Sequence, residues 1–405
     1  MRGVIGLCCL LWLMGCDEGS SSDVGGMMTM TGGGQTQGGS AGTTLIPSAG
    51  ATAAGTANGG TMAVAGTGGA ASAGSAAGGT SAGGPGAGGA AGSGGSAPMN
   101  QVFSQCRLHF GTIDSKAKEN PGMIPELDFF TPGWMGISDT FDQSYVCEEG
   151  KPGAVLGKQV PVIVAYVSAF YVKRHHGGLC DCNVPDCGQI DGKANDLCHF
   201  GAQYIKQDLA AIVNVYKSYA QGYAACYGTT RPIVFEMEPD WYQYTINEQG
   251  APFTKQEAGD FLGQYVSAIK QYLPNAYFSI DISPWVDDNG ATNGKDWYSH
   301  FDLSKFTFVN TSGGSTLGAN TKIRNDNQMT WSGVSQTTGK AVLADTGYGA
   351  AGISAGHDAN WDDVNNLNAR LADGVVSISQ YNPKSDWGST ISSIRGQLKT
   401  PKFCP

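Results

Sequence analysis

The chain has 405 residues, with 24 Lys plus Arg against 34 Asp plus Glu, and a formal net charge of -10. This acidic balance leaves no basic stripe that could displace counterions from a polyanion, which argues against nucleic acid as the ligand and leaves neutral polysaccharide compatible. The length is sufficient for one large core in addition to long flexible segments.

Residues 1–16 start with a basic residue, continue as an apolar run and end in Leu13-Met14-Gly15-Cys16. This pattern is typical of an export signal and is too short to span a bilayer in the mature protein. The last four residues resemble the bacterial lipobox, which implies that Cys16 becomes a lipidated N-terminus. The alternative is an ordinary signal peptide with an incidental cysteine. Asp17 resembles an inner-membrane retention signal of enteric bacteria, and the choice between inner and outer membrane stays open.

Residues 17–99 form a predicted linker. From Gly19 to Pro98 the composition falls to Gly, Ala, Ser and Thr, with Asp23 as the single charge and no aromatic residue. Such a segment buries too little apolar surface to offset its chain entropy, so disorder is expected. A flexible coil of about 80 residues has an r.m.s. span of roughly 50 Å, enough to hold a domain clear of a lipid surface.

Residues 100–405 form one predicted domain, in which short β-rich runs alternate with helical patterns. This alternation is typical of parallel βα units and predicts an α/β fold, a (β/α)8 TIM-type barrel that is distorted in one interpretation. Eight strands are predicted: Leu108–Ile113, Leu127–Phe130, Val160–Ser168, Pro232–Glu238, Tyr277–Ile282, Phe306–Thr311, Ala341–Thr346 and Val375–Tyr381.

Three helices have a clear apolar stripe. They are predicted at Tyr204–Tyr219, Thr254–Leu273 and Asn360–Ala372. Thr254 and Glu257 form a capping-box pattern at the start of the second helix, and Pro274 ends it. We interpret the stripes as core packing against the barrel.

Eight of the eleven cysteines lie in the predicted domain, an even number that favours up to four disulfides in an exported protein. Cys106 and Cys404 are paired first, because they lie at the two ends of the domain and the termini of a closed barrel are close together. Cys147 and Cys226 are expected to complete the set. The alternative for the remaining cluster is a zinc site, although its spacing matches no known finger. That cluster comprises Cys180, Cys182, Cys187 and Cys198, with His175, His176 and His199 nearby.

Carboxylates follow the predicted strands at the end of the barrel where active sites lie. They are Asp114, Glu236, Glu238, Asp240, Asp281, Asp345 and Asp386. A glutamate in the barrel mouth would be desolvated and close to other carboxylates, and both effects raise its pKa toward that of a general acid. Catalytic roles are therefore predicted for Glu238, Asp345 and Asp281. Glu236 is expected to be a structural group inside the barrel, and Asp345 has an Asx turn or helix cap as its alternative role.

Aromatic and polar residues near the same strand ends predict sugar binding, because flat rings stack on the C–H faces of pyranoses. Loop tryptophans that follow a strand are the better candidates. The predicted substrate-binding residues are Trp241, Tyr242, Trp285, Asp240, Asn310, Tyr348 and Trp387. Trp134, Tyr166, Tyr244, Trp297 and Tyr381 lie near strand ends too, and about half of all these aromatics are expected to be core.

The segments I-V-F-E-M-E-P-D-W, Y-F-S-I-D-I-S-P-W, F-V-N-T-S-G-G and V-L-A-D-T-G-Y-G resemble, in this order, those of glycoside hydrolase family 6, the inverting cellulases with a distorted barrel. The resemblance covers roughly Ala202 to Gly349. It implies a strand that ends in Glu-Pro-Asp, one that carries Asp with a nearby Trp, an Asn-bearing strand and an Asp-Thr strand.

The chain departs from that family at the strand that should carry the catalytic acid, since Val162–Phe170 contains no aspartate. Asp181 or Asp186 in the following loop could supply the acid, the acid could lie elsewhere, or the domain does not hydrolyse. The glutamate of the fourth strand also resembles the acid/base of the larger clan of retaining barrels. That clan has Glu as its seventh-strand nucleophile, where this chain has Asp345.

The sequence thus predicts a secreted or surface-anchored glycoside hydrolase that cleaves a β-linked polysaccharide such as cellulose or a related glucan. It is expected to be a monomer held to a membrane by its N-terminal lipid, without cofactor or metal. The first alternative is a non-catalytic carbohydrate-binding lipoprotein on a degenerate barrel, and the second is a structural surface lipoprotein.

Overall fold

A computed structural model describes residues 99–182, 184, 187–246, 253–282, 293–311, 315–324, 329–347 and 356–404. The predicted export signal with Cys16 and almost all of the linker lie outside these ranges, as do Asp186, Trp285 and Tyr348.

The described strands are β1 (His109–Ile113), β2 (Phe129–Thr131), β3 (Trp134–Met135), β4 (Val160–Ala165), β5 (Gln189–Ile190), β6 (Lys193–Ala194), β7 (Ile233–Met237), β8 (Ala276–Asp281), β9 (Phe308–Asn310), β10 (Ala341–Asp345) and β11 (Val375–Ser379). Eight of them close into a parallel barrel in the order β1-β2-β4-β7-β8-β9-β10-β11, and β11 returns to β1. β3 extends the sheet beside the end of β4, and β5 with β6 forms a separate antiparallel hairpin.

The described helices are α1 (Met99–Val102), α2 (Asp114–Glu119), α3 (Gln143–Val146), α4 (Val167–His175), α5 (Leu197–Tyr227), α6 (Trp241–Thr245), α7 (Lys255–Lys270), α8 (Gly294–Ser299), α9 (Trp331–Thr338), α10 (Val364–Asp373) and α11 (Trp387–Arg395). Short 3-10 helices span Pro121–Glu126, Leu303–Lys305 and Ala359–Trp361. The predicted (β/α)8 barrel is therefore confirmed, and each predicted strand corresponds to one of its eight strands.

Local sequence explains where the helices begin. The predicted capping box is present at α7, where the Thr254 side chain accepts from the Glu257 backbone and the Glu257 carboxylate accepts from Thr254. α5 is capped at its N-terminus by Asp196, whose side chain accepts from the backbone N–H of His199. It is followed by Gly228, which has φ of 80°. α5 is longer than predicted at both ends.

The barrel interior is filled at its lower and middle levels by Phe129, Val162, Val234, Phe308 and Leu343. Gly111 of β1 makes room for this packing, because a Cβ there would lie 2.1 Å from a ring carbon of Phe129. The alternate residues of each strand pack outward against the helices. The interior side chains close the barrel toward the N-terminal ends of the strands, and the barrel is open at the C-terminal ends.

All eight cysteines of the domain are paired. The two predicted pairs are present, with Cα atoms 5.6 Å apart in Cys106–Cys404 and 5.8 Å apart in Cys147–Cys226. The remaining cluster forms Cys180–Cys187 and Cys182–Cys198, so these cysteines serve disulfides and not a zinc ion. Four disulfides are consistent with an exported protein. None of the described helices combines the length and apolar character needed to cross a bilayer.

The predicted end of the third strand is wrong. The third strand was expected to extend to Ser168, but β4 ends at Ala165 and α4 begins at Val167. The chain turns at Tyr166 because α4 packs at once on the end of β3. Gly136, with φ of 98°, allows this approach, since a Cβ there would lie 2.6 Å from the Cα of Val167.

Candidate functional site

The carboxyl ends of β7 to β10 bring four polar side chains to the barrel mouth. Glu236, Asp281, Asn310 and Asp345 alternate with outward-facing neighbours and so share the interior face. Asn310 is fully buried, and the three carboxyls are 7% exposed or less. Asp281 lies directly opposite Asn310 in the register of β8 and β9. Neighbouring parallel strands therefore place these groups on one edge, as the sequence predicted.

Burial dominates the electrostatics of this group. It raises the pKa of Glu236 to about 8, with further increases from the charges of Asp345 and Asp281. Burial also raises the pKa of Asp345 to about 7, although the Arg324 charge and two hydrogen bonds oppose the rise. The pKa of Asp240 is raised to about 6 by burial, against the opposing charge of Arg324. Three mouth carboxyls thus titrate near neutrality.

Hydrogen bonds distinguish the two carboxyls with the highest of these pKa values. The Asp345 carboxylate accepts from the backbone N–H of Gly347 at 2.6 Å and from the Thr311 hydroxyl at 3.3 Å. Both bonds favour its ionised form. Among the residues that the structure describes, none donates a hydrogen bond to the Glu236 carboxyl. Of the two carboxyls, Glu236 therefore holds its proton to the higher pH and Asp345 ionises first.

Arg324 brings a positive charge to the site, and no sequence pattern had indicated it. Its side chain is buried, donates to the Thr311 carbonyl at 3.0 Å, and interacts electrostatically with Asp345, Asp281 and Asp240. A single arginine in a polar loop gives no periodic or motif signal, so only the fold could reveal it.

Asp240 lies just past the end of β7 and is joined to Asp281. Its backbone N–H donates to the Asp281 carboxylate at 3.2 Å. Asp240 has φ of 64°, a left-handed conformation that is uncommon outside glycine. The predicted proximity of Asp240 and Asp281 at the mouth is thus observed, whereas their roles in binding or catalysis stay predictions.

The expected position of Glu238 is wrong. Its φ is 42°, so the alternation of the strand is broken at this residue and its side chain leaves the mouth. The carboxyl is fully buried and accepts from the Ser168 backbone N–H at 2.8 Å, the Tyr244 hydroxyl at 2.8 Å and the Tyr216 hydroxyl. These donors belong to α4, α6 and α5. Glu238 joins three helices to the end of β7, which is the structural role that the sequence analysis gave to Glu236.

Two of the predicted sugar-binding tryptophans are core residues. Trp241 is 2% exposed, donates from its indole to the Ala258 carbonyl at 3.1 Å and packs against Tyr244 and Phe253. Trp387 is fully buried and donates to Asp362 at 2.9 Å. Each tryptophan begins a helix that packs back on the barrel, which buries its ring.

The other predicted binding residues have mixed positions. Tyr242 is partly buried, with its ring 5.0 Å from the Trp297 ring, and Asn310 lies at the mouth. Asp114 and Asp386 lie at or just before the start of α2 and α11. Asp181, an alternative acid from the sequence, is exposed and forms an ion pair with Lys173.

Within the part of the chain that the structure describes, no group of three or more His, Cys, Asp or Glu could hold a metal ion.

No protein-family model matches the chain, and a search of curated proteins finds no match. Among solved structures, a GH26 β-mannanase from Bacteroides ovatus is similar, with 9% identity, a TM-score of 0.46, and coverage of 73% of this chain and 89% of that chain. GH26C from Muricauda sp. has 14% identity, a TM-score of 0.40, and coverage of 75% and 90%. Old Yellow Enzyme from Pichia sp. has 10% identity, a TM-score of 0.41, and coverage of 75% and 90%.

The names of these three neighbours do not agree on one activity. Because their identities are 9–14% and each TM-score lies below 0.5, the similarity does not indicate a substrate or a reaction.

Proposed function

We propose that the barrel domain is a glycoside hydrolase that cleaves a β-linked polysaccharide, with Glu236 as the proton donor and Asp345 as the second carboxylate. The observation that carries this proposal is the placement of these two carboxyls on the interior face of β7 and β10, close enough for the charge of one to raise the pKa of the other. Paired carboxyls with different environments are the usual machinery of glycosidic bond cleavage.

The two environments suggest the division of roles. A protonated Glu236 donates its proton to the glycosidic oxygen as the bond to the leaving sugar breaks. Asp345, whose ionised form is stabilised by the Gly347 backbone and by the Arg324 charge against the effect of burial, either attacks the anomeric carbon or removes a proton from the attacking water. Asp281 has its charge next to Glu236 and helps to keep that carboxyl protonated, so its catalytic role is proposed as pKa adjustment.

The charge of the mouth supports a neutral substrate. Four carboxyls converge there, namely Glu236, Asp240, Asp281 and Asp345, and Arg324 is the cation that interacts with three of them. A uronic acid would add negative charge to this acidic site, whereas a neutral glucan such as cellulose or a related polymer would not. The segment resemblance to family 6 cellulases is in keeping with this choice.

Reducing-sugar release from a panel of soluble glucans, mannans and xylans tests the activity, and a matched pair of variants tests the proton donor. Glu236→Gln keeps the side-chain shape but removes the titrating group, so turnover should fall by about 10²-fold or more. Glu238→Gln makes the same change two residues away, outside the mouth, and turnover should fall by less than about tenfold.

The control variant should instead lower the melting temperature. Glu238 accepts hydrogen bonds from three donors, and an amide nitrogen in place of a carboxylate oxygen would oppose at least one of them. Wild-type turnover in Glu236→Gln, or equal losses in both variants, would overturn the assignment.

A carbohydrate-binding protein on a degenerate barrel is the second candidate, because β4 ends without a carboxylate and passes directly into α4. This candidate predicts retention of a glycan without turnover by the wild-type protein. A structural lipoprotein, the remaining alternative, predicts neither.

A further inference from the structure

Trp134 differs from the other tryptophans that the structure describes. Five of these tryptophans are 2% exposed or less: Trp241, Trp297, Trp331, Trp361 and Trp387. Trp134 is partly exposed, at the end of β3. The sequence placed Trp134 among the aromatics near the strand ends but predicted no strand at β3 and did not select Trp134 for substrate binding.

Trp134 belongs to a small aromatic group with Tyr166 and Phe170, which we name the Trp134 cluster. The Trp134 ring centroid lies 5.6 Å from that of Tyr166 and 5.7 Å from that of Phe170, and the latter two rings are 5.1 Å apart. The contacts are edge-on or tilted, as aromatic pairs prefer. These two rings restrain the orientation of the indole, which is partly exposed.

The register of the sheet places Trp134 on the same face as Glu236. Trp134 lies opposite Val164 of β4, and Val164 lies opposite Glu236 of β7. Residues opposite each other in neighbouring strands point to the same side of a sheet, and Val162, two residues before Val164, fills the barrel interior. Trp134 and Glu236 are therefore two strands apart, about 10 Å, on the mouth side.

Electrostatic interactions connect the cluster to the acidic group. Tyr166, buried at the centre of the cluster, interacts with the charges of Asp240 and Asp281. Burial, followed by these charges, raises the pKa of Tyr166 well above its ordinary value, so its hydroxyl keeps its proton. The cluster is thus continuous with the proposed catalytic mouth.

A polar pair borders the cluster. The Lys173 ammonium lies 6.0 Å from the Phe170 ring centroid and donates to both carboxylate oxygens of Asp181 at 2.8 Å. Both residues are partly accessible, with side-chain exposures of 26% for Lys173 and 52% for Asp181. Asp181 lies between Cys180 and Cys182, each of which is in a disulfide, so its backbone is restrained.

We propose that Trp134, flanked by Lys173 and Asp181, forms a binding subsite for a sugar unit of a neutral polysaccharide, next to the unit whose bond is cleaved. The indole stacks on the C–H face of the ring, and the ammonium and carboxylate bind its hydroxyls. Because Asp181 neutralises Lys173, the pair does not favour a uronate. This inference rests on the proposed function and adds a position that extends the site from β7 toward β3.

Binding in an inactive background tests the subsite without requiring turnover. The full-length protein with Glu236→Gln is run in native gels that contain mixed-linkage β-glucan, glucomannan or xylan. Addition of Trp134→Ala should weaken retention at least about fivefold on the glycan that binds, whereas Trp134→Phe, which keeps a flat ring, should restore part of it. The matched control is Tyr171→Ala, which removes a partly exposed ring of α4, the helix that carries Phe170; the Tyr171 ring stacks on His175.

In the active protein, Trp134→Ala should raise KM on the polymer and change kcat by less than about twofold, since Trp134 does not reach the reacting atoms. Melting temperatures show whether each variant is folded. Retention equal to that of Tyr171→Ala, or no retention by any glycan, would overturn the subsite. Trp134-dependent retention without hydrolysis by the wild type would support the subsite and overturn the hydrolase, so the two proposals fail separately.

Discussion

At the scale of single residues, one backbone dihedral separates two glutamates that the sequence places in the same strand. Glu236 keeps the extended conformation of β7 and lies at the mouth, whereas Glu238 has φ of 42° and turns toward Tyr216 and Tyr244. Left-handed conformations of non-glycine residues cost about 1–3 kcal/mol and persist only where neighbours hold them. The three hydrogen bonds to Glu238 supply that restraint.

The pKa values of the mouth predict the pH dependence of activity. Asp345 must be ionised to act, so kcat/KM should rise as pH increases through about 7. Glu236 must be protonated to act, so kcat/KM should fall as pH increases through about 8. A bell-shaped profile with its maximum between these values is expected in the wild type. A profile with both limbs below pH 5 would contradict the assignment of these two carboxyls.

Stability measurements on the Glu236→Gln variant check the same shift independently of turnover. The folded-state pKa of this carboxyl is raised, so its ionisation destabilises the fold as pH increases from about 4.3, the ordinary value, toward about 8. Glutamine cannot ionise. The variant should therefore melt higher than the wild type at pH 8, by an amount on the order of a few kcal/mol in unfolding free energy, and should not do so at pH 4.

At the scale of secondary-structure elements, α5 connects the helical layer to the end of β7. Its buried tyrosines recur every three or four residues along one face: Tyr216, Tyr219, Tyr223 and Tyr227. The Tyr216 hydroxyl donates to Glu238, and the Tyr219 hydroxyl donates to the Ser138 carbonyl at 3.1 Å. A stripe that looks purely apolar at helical spacing thus also carries hydroxyls that satisfy buried acceptors.

The disulfides between elements should contribute to stability according to the length of chain they close. Cys106–Cys404 joins residues 298 positions apart, and Cys180–Cys187 joins residues 7 apart. Loss of the first pair, by the double variant Cys106→Ser with Cys404→Ser, should lower the unfolding free energy by about 3–5 kcal/mol. The matched double variant Cys180→Ser with Cys187→Ser should cost less.

Denaturant titration of both double variants measures the difference, and thiol titration of the unfolded, unreduced protein checks the pairing itself. Only the cysteines of the predicted export signal, Cys8, Cys9 and Cys16, lie outside the four pairs. Any additional free thiol would contradict the pairing. A larger loss for the shorter disulfide would show that native contacts of its loop, and not chain entropy, determine the effect.

At the scale of the whole molecule, we propose that Cys16 is lipidated after export, so that the domain is held outside the cytoplasm as a monomer. Cys16→Ser should move the protein from the membrane fraction to the soluble exported fraction, because the leader would lose its site of lipid attachment. The matched control is Cys9→Ser, which changes a cysteine of the predicted export signal outside Leu13-Met14-Gly15-Cys16. Unchanged fractionation of Cys16→Ser would contradict the anchor.

The sequence by itself determined the features that depend on local pattern. Alternation of β-rich and helical runs gave the eight strands of the barrel, and Thr254 with Glu257 gave the start of α7. The closeness of termini in a closed barrel gave Cys106–Cys404. The predicted strand ends also identified the acidic side chains that include Asp281 and Asp345. This was possible because parallel strands bring their C-terminal ends to one edge of a sheet, whichever side chains they carry.

The tertiary structure alone decided which members of that set face the mouth. A positive φ at Glu238 depends on donors from three helices, and the burial of Trp241 depends on packing against α7, a separate helix. Arg324 reaches the mouth through a loop without periodic pattern, and the register of the short strand β3 was needed to place Trp134, one of several strand-end aromatics in the sequence, on the same face as Glu236. These positions result from long-range packing, which acts between residues far apart in the chain and leaves no local signal.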